Sequence, residues 1–263
     1  MDAVAMTTTY ARRLTAVLAA LPLVAGCGGT GHDGRDDART AAGPPVTGPG
    51  THLVITTDNG VRLRPADGDR VVVDRGVAHR WTHHDDTWVV DLSCARPPEA
   101  DGPCPRMPEV DVPAGASVTV TARDAGIDVA GIDAALDLTT VNGDVTVTGS
   151  GNGADARGAA AAPVRLATRN GSVRADALRV TALRAETVNG DVVLHCATSP
   201  TGVAAATTNG SVRVVVPHDA PRYRVTATTG NGRPSVSLPT DGARDDRTMT
   251  LTTVNGDVGA ARG

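Results

Sequence analysis

A short sequence motif recurs through the second half of the chain: a threonine, one further residue, then Asn-Gly, then in most copies a small polar residue and valine. Successive copies are separated by 28, 19, 20, 22 and 24 residues, counted between the asparagines. A weaker early copy surrounds Asn59. A near-constant period of this length is the signature of a repeat architecture. The six Asn-Gly pairs are Asn142-Gly143, Asn170-Gly171, Asn189-Gly190, Asn209-Gly210, Asn231-Gly232 and Asn255-Gly256.

Each copy is predicted to be two strands joined by a corner. In the run from Val145 to Thr148, apolar and polar residues alternate with the period of a half-buried strand. Valine and threonine are β-branched and favour extended backbone. Asn-Gly places two residues that tolerate a positive φ between the runs, as a tight turn requires.

Two assemblies of this unit are possible. The coils, of about 20 residues each, can stack as a β-solenoid resembling a single-stranded β-helix, with the Asn-Gly corners in register. Alternatively, Asn-Gly forms type I′ hairpins in a meander that folds into a β-sandwich or barrel. We expect the solenoid, because stacking explains identical corners and because a chain without phenylalanine suits a thin core.

The residues before the repeats differ from them. Residues 51–117 contain short apolar runs, and the polar segment between two of these runs begins at Trp81 and ends at Trp88. We interpret this region as a β-hairpin cap, with the two tryptophans paired across a turn. A solenoid needs such a cap because an open end exposes unpaired edges and core. The repeats themselves are assigned to residues 118–263.

The N-terminus predicts export. Arg12 and Arg13 precede a short apolar run that is closed by Ala25-Gly26-Cys27, so residues 1–26 read as a signal peptide. Cys27 resembles the acylated cysteine of the bacterial lipobox, although an ordinary signal peptide with a chance cysteine is the simpler alternative. Residues 27–50 are poor in apolar residues and read as a flexible tether. We expect a lipid anchor in the cell membrane, on its extracellular face; the Sec and twin-arginine export routes both stay open.

The other cysteines receive different interpretations. Cys94 and Cys104 flank a proline-rich segment, and in an oxidising compartment they are expected to form a disulfide that closes a loop. Cys196 is expected to be a small buried hydrophobe. His195 would point to the opposite face of the same strand, which argues against a catalytic thiol.

Charge and motif searches narrow the function. The chain has 25 basic and 29 acidic residues and few aromatics, whereas nucleic-acid binders show basic stripes and stacking rings; we therefore expect no nucleic-acid partner. Residues 83–86, His-His-Asp-Asp, and the three aspartates that follow Asn-Gly have side chains that can bind metals, but turn chemistry explains both. The glycine-rich segment 149–154 is interpreted as an insertion. We predict no catalytic residue, no metal and no cofactor.

Four features of the chain resemble a bacterial adhesin domain family of unknown function. They are the cysteine pair, the segment Val112-Pro113-Ala114-Gly115, the recurring Asn-Gly motif and the run from Tyr223 to Gly232. The resemblance implies a β-solenoid surface domain without known catalytic residues. Arg233 departs from the family pattern and indicates a bulge or loop. We expect a non-catalytic surface lipoprotein that contacts a protein or cell-wall polymer. The alternatives are a structural or signalling part of an envelope-stress response, and a glycan-acting β-helix enzyme.

Overall fold

The computed structural model describes residues 42–46, 51–93, 106–151, 163–240 and 247–263, all of which belong to one compact unit, Arg39–Gly263. The described residues form strands and connections without a helix, and none of them provides a helix long and apolar enough to cross a membrane. The strands are β1 Ala42–Pro45, β2 His52–Thr56, β3 Val61–Pro65, β4 Arg70–Val73, β5 Arg80–His84, β6 Thr87–Asp91, β7 Glu109–Val112, β8 Ser117–Thr121, β9 Ile127–Ala130, β10 Leu136–Thr139, β11 Val145–Thr148, β12 Val164–Ala167, β13 Val173–Leu178, β14 Ala182–Glu186, β15 Val192–Cys196, β16 Gly202–Ala206, β17 Val212–Val216, β18 Arg224–Asn231, β19 Pro234–Val236, β20 Thr248–Asn255 and β21 Val258–Arg262.

The strands form two sheets that enclose one apolar core. One sheet has eleven strands in the order β1-β4-β7-β3-β9-β11-β13-β15-β17-β21-β19, and the other has ten in the order β18-β20-β16-β14-β12-β10-β8-β2-β6-β5. We call them the eleven-stranded and ten-stranded sheets. Alternate residues of the inner repeat strands are buried, as in β10 and β11, whereas β18 and β19 contain no fully buried residue. Valine, leucine, isoleucine and alanine supply nearly all of the core.

The connectivity confirms the β-solenoid. Strands β10 and β11, which Asn142 and Gly143 join, belong to different sheets, and each pairs in parallel with strands of the neighbouring coils. The hairpin meander is therefore the wrong assembly. Parallel pairing keeps equivalent residues of successive coils opposite one another, for example Leu138 opposite Leu166.

The coils do not stack in sequence order at the ends. The coil β20–β21 pairs with β16–β17 on one side and with β18–β19 on the other, so the penultimate coil in sequence is the outermost one. At the other end, β2–β3 lies between β8–β9 and the strands β6 and β7. The last strand of the chain is consequently paired on both sides.

The N-terminal region is partly a coil and partly a cap. Among the described residues of this region, antiparallel pairing is found only in β5–β6 and in the pairings of β4 with β1 and β7, whereas β2 and β3 pair in parallel like repeat strands. Trp81 and Trp88 make an edge-to-face contact at 6.4 Å between ring centroids, as expected. His83 stacks on Trp88 at 3.9 Å.

Several predicted features lie outside the described residues. These are the signal peptide, Cys27, most of the tether, Cys94 and Cys104, and residues 152–154 of the glycine-rich insertion.

Candidate binding face

The Asn-Gly corners form a continuous ladder along one edge of the solenoid. The side-chain amide of each asparagine donates from Nδ2 to Oδ1 of the asparagine in the preceding coil, at 2.8 to 2.9 Å. The ladder ends where Asn142 donates to the Asp124 carboxylate at 3.2 Å. The stacking order of the ladder is Asn142, Asn170, Asn189, Asn209, Asn255 and Asn231.

The asparagines contribute hydrogen bonds rather than an unusual backbone. Among the described residues other than glycine, only Asp85 and Ala177 have a positive φ, so the expectation that asparagine itself adopts this conformation is wrong. The glycine alone supplies the corner: φ is between 144° and 153° at Gly143, Gly171, Gly190, Gly210 and Gly256. A Cβ at Gly190 would lie 2.1 Å from the carbonyl oxygen of Gly171.

A threonine closes each corner from inside, and it is buried in every copy except the outermost, where Thr229 is half-buried. It lies two residues before the asparagine, and its hydroxyl donates at 2.8 Å to a backbone carbonyl of the neighbouring coil, usually that of the corner glycine. Each threonine therefore satisfies a polar group that the tight corner would otherwise bury unpaired. These threonines are Thr140, Thr168, Thr187, Thr207, Thr229 and Thr253.

The residue two places after each asparagine forms a third ladder. In stacking order it is Asp144, Ser172, Asp191, Ser211, Asp257 and Arg233. Each carboxylate accepts the backbone N–H of the next coil at 2.7 to 2.8 Å. No two aspartates are adjacent, and adjacent carboxylates would lie only about 4.8 Å apart.

This arrangement argues against a calcium-binding ladder of Asp144, Asp191 and Asp257. The carboxylates are separated by serines and bind backbone N–H groups instead of converging. The described residues contain no cluster of three or more histidine, cysteine or acidic side chains that could hold a metal. Arg233 keeps its place in the ladder through its N–H to Asp257, so the bulge expected there is absent.

The outer face of the ten-stranded sheet carries an open trough of about 640 Å³ across its coils. One row of the trough runs through Thr119, Asp137, Arg165, Arg184, Ala204 and Thr250, which lie opposite one another on successive strands. Beside that row lie the short residues Ala135, Pro163, Ala182 and Gly202. Six strands at about 4.8 Å spacing make the trough roughly 24 Å long.

The charges of the trough are concentrated at its centre. Asp137, Arg165 and Arg184 are consecutive in the row, and Arg184 forms an ion pair with Glu186 on its own strand. Apart from His52 at one end, the other outward-facing residues of the lining are alanine, glycine, proline, serine and threonine. An extended ligand that lies along the trough would therefore meet both charge signs at its middle and short side chains at its ends.

One end of the trough holds a serine and a histidine in contact. His52 Nδ1 lies 2.7 Å from Ser117 Oγ, and its Nε2 lies 3.1 Å from Thr119 Oγ1. A catalytic serine needs a histidine whose second nitrogen is oriented by a carboxylate. Here that position is taken by a hydroxyl, and Ser117 Oγ also donates to the Thr51 carbonyl at 3.3 Å. The group is a hydrogen-bonded cluster between neighbouring strands.

The remaining candidates are structural. Cys196 is buried, and desolvation raises the pKa of its thiol to about 12. His195 lies on the outer face with its Nδ1 3.2 Å from Asp176, on the opposite side of the strand as expected. His83 and His84 belong to β5, and Asp85 and Asp86 form the turn that joins it to β6.

A family model for the Toastrack DUF4097 domain matches residues 114–260, which span the coils from β8 to β21. The chain belongs to this family. No curated protein matches it. A solved structure described as a putative cell adhesion protein from Clostridium sporogenes is similar over 86% of this chain and 98% of that chain, with 8% sequence identity and a TM-score of 0.37.

The Toastrack repeat residues were found from the sequence, whereas the trough was not. Asn-Gly is recognisable in each copy, and its role follows from local geometry. The trough is formed by residues that share only a register position, and they range from aspartate to arginine to alanine. The one signal that could have revealed it is the run of short residues at the starts of β14 and β16.

Proposed function

We propose that this Toastrack protein is a non-catalytic binding protein on the outside of the cell, anchored by a lipid at Cys27, and that it holds its partner in the trough of the ten-stranded sheet. The partner is a protein segment or a cell-wall polymer in extended form. The observation that carries the proposal is the trough itself, because it is open, runs along the stacked coils, and combines short side chains with a central group of charges.

The chemistry of the face supports binding rather than catalysis. The Ser117–His52 contact has a threonine hydroxyl in the place of the carboxylate that a catalytic serine requires. The thiol of Cys196 has a pKa of about 12 and lies in the core, so it is neither ionised nor exposed at neutral pH. The conspicuous Asn-Gly and Asp/Ser positions are engaged in coil-to-coil hydrogen bonds.

Blocking the trough with one large side chain tests the binding face. Ala204 lies on the outer face of β16 within the trough, and Ala130 lies on the outer face of β9 in the other sheet. Ala204→Tyr should abolish saturable binding of the labelled full chain to envelopes from a strain that lacks the protein. Ala130→Tyr makes the same substitution on the opposite face and should leave binding unchanged. Equal binding by the two variants would contradict the trough as the site.

The anchor is tested separately. Cys27 follows a charged start, a short apolar run and small residues, and a lipid chain there would hold the protein at the membrane. Cys27→Ser should move the protein from the membrane fraction to the medium, and mass spectrometry of the wild-type N-terminus should find an acylated Cys27. An unmodified Cys27 in the membrane fraction would refute the anchor and leave the trough proposal standing.

A further inference from the structure

The two ends of the solenoid differ in how completely the apolar core is covered. At the N-terminal end, the inward residues of the outermost coil are closed off: Val90 and Val110 are 0% exposed. At the C-terminal end, the inward positions of β19 are open. Val236 lies opposite Ala260, which is 2% exposed, yet Val236 itself is 40% exposed. Val225 and Ala227 of β18 are only partly buried against the core.

The open end is also a pair of sheet edges. Strands β18 and β19 are the last strands of the ten-stranded and eleven-stranded sheets. Arg224 donates its N–H towards β20, to the carbonyl of Arg247. Because successive N–H groups of a strand point to opposite sides, those of Val225, Ala227 and Thr229 point away from β20. These groups require a partner outside the described coils or water.

Natural edges are usually protected by charges, proline or short length. Strand β18, Arg224–Asn231, is eight residues long and contains no proline, and its only charged residue is Arg224 at its start. The edge at the other end is different: β5 carries Arg80, His83 and His84. An unprotected edge of this length next to exposed core residues is a template for strand pairing.

We propose that this open end is an interface for a second copy of the same chain, which pairs with it about a twofold axis through β18. An axis normal to the sheets places β18 antiparallel to β18 of the partner copy and extends the ten-stranded sheet across both molecules. Pro234 lacks an N–H, so β19 contributes apolar side chains rather than a ladder.

The alternation of β18 restricts the register. Residues of β18 that point towards the core must lie opposite residues of the partner copy's β18 that also point towards the core. The twofold axis therefore passes through one residue of β18 rather than between two residues. With the axis at Ala227, this alanine faces its own copy, Val225 faces Thr229, and Thr226 faces Thr228 on the outer surface. Arg224 faces Gly230, so no like charges meet. The strand is therefore self-complementary in side-chain size and charge.

The size of the end face is compatible with a reversible dimer. Eight residues at about 3.3 Å span roughly 26 Å, and two sheets with their side chains are about 20 Å thick. Two copies together would then bury about 1,000 Å², which is near the lower limit for a specific interface. Confinement of both copies to one membrane surface would raise their effective concentration.

Site-directed cross-linking of the full chain in its membrane tests the pairing. Thr228→Cys places a thiol on the outer surface beside the axis, and Thr252→Cys places one directly opposite it on β20, one strand further from the axis. A short bismaleimide should give a dimer band with Thr228→Cys and only the wild-type background with Thr252→Cys, because the latter pair is separated by three strand spacings, about 14 Å. Equal yields from the two variants, or no dimer with either, would overturn the proposal.

A charge variant provides a second measurement that does not depend on added thiols. Thr226→Lys with Thr228→Lys places lysine opposite lysine across the axis, and Thr250→Lys with Thr252→Lys places the same charges one coil further in. Sedimentation of the detergent-solubilised full chain should show a dimer for the wild type and the second variant, and a monomer for the first. A monomeric wild type, or a dimer that survives the first variant, would refute the interface. A mixed complex with another protein in place of the dimer would also refute it.

Discussion

The corner glycines make the sharpest prediction about stability. In Gly190→Ala the new Cβ would lie 2.1 Å from the carbonyl oxygen of Gly171 and 2.5 Å from its carbon. The backbone φ at this position is 151°, a region that side chains other than glycine rarely enter. The substitution therefore combines backbone strain with a collision between two stacked coils.

The magnitude follows from two contributions. A non-glycine residue in such a conformation costs about 1–3 kcal/mol. Relief of the collision requires the two coils to separate locally, which stretches the bonds from the Gly171 N–H to the Asn189 carbonyl and from the Thr187 hydroxyl to the Gly171 carbonyl. Each such hydrogen bond contributes about 1 kcal/mol, so we expect a total loss of about 3–5 kcal/mol. At about 2–4 °C per kcal/mol for a chain of this size, the melting temperature should fall by about 10 °C.

Gly202→Ala is the matched control. Gly202 begins β16, its φ lies outside the positive region, and a Cβ there would have no atom within 4 Å. This variant should be neutral or stabilise the fold by up to about 1 kcal/mol, because alanine restricts the unfolded chain. Thermal unfolding of the full chain by circular dichroism compares the two. If Gly190→Ala melted within about 1 °C of Gly202→Ala, the account of the corners would be wrong, since about 1 °C corresponds to well under 1 kcal/mol.

Three further predictions concern the ladders and the core. Asn189→Ala removes two side-chain hydrogen bonds and should lower the free energy of unfolding in urea by about 1–2 kcal/mol. Asn189→Asp should lower it further at pH 7, and stability should recover as the pH falls below the raised pKa of the new carboxyl group. A free energy of unfolding that declined on acidification would contradict the ladder. Ser172→Asp puts a carboxylate between Asp144 and Asp191 and should destabilise the fold by about 1–2 kcal/mol at low salt. Because the loss is due to charge repulsion, 1 M salt should largely remove it, and the uncharged variant Ser172→Asn should not show it. Because the pKa of Cys196 is raised from 9.0 to about 12 in the folded protein, the wild type should lose stability between those pH values relative to Cys196→Ala; parallel stability curves for the two proteins would refute a buried neutral thiol.

The repeat unit could be predicted from the sequence because its determinants are local. Alternation in stretches such as Leu136–Thr139 identifies the buried face of a strand, and Gly143 marks the corner that only glycine can form. Identical corners in every copy then favoured stacking over hairpins. The role assigned to asparagine was the exception, because its amide ladder is visible only when Asn170 is placed beside Asn142.

The tertiary structure decided which coils are neighbours, and this ordering could not be inferred from local pattern. The chain alone suggests that Arg233 lies next to Ser211, but the exchanged end coils put Asp257 there and produce the regular alternation of aspartate and serine. The trough and the open end likewise depend on pairings between strands that are distant in sequence, such as β16 with β20. A period-two pattern specifies which way a side chain faces and not which strand lies beside it, and for that reason the coil was predictable while both candidate binding surfaces were not.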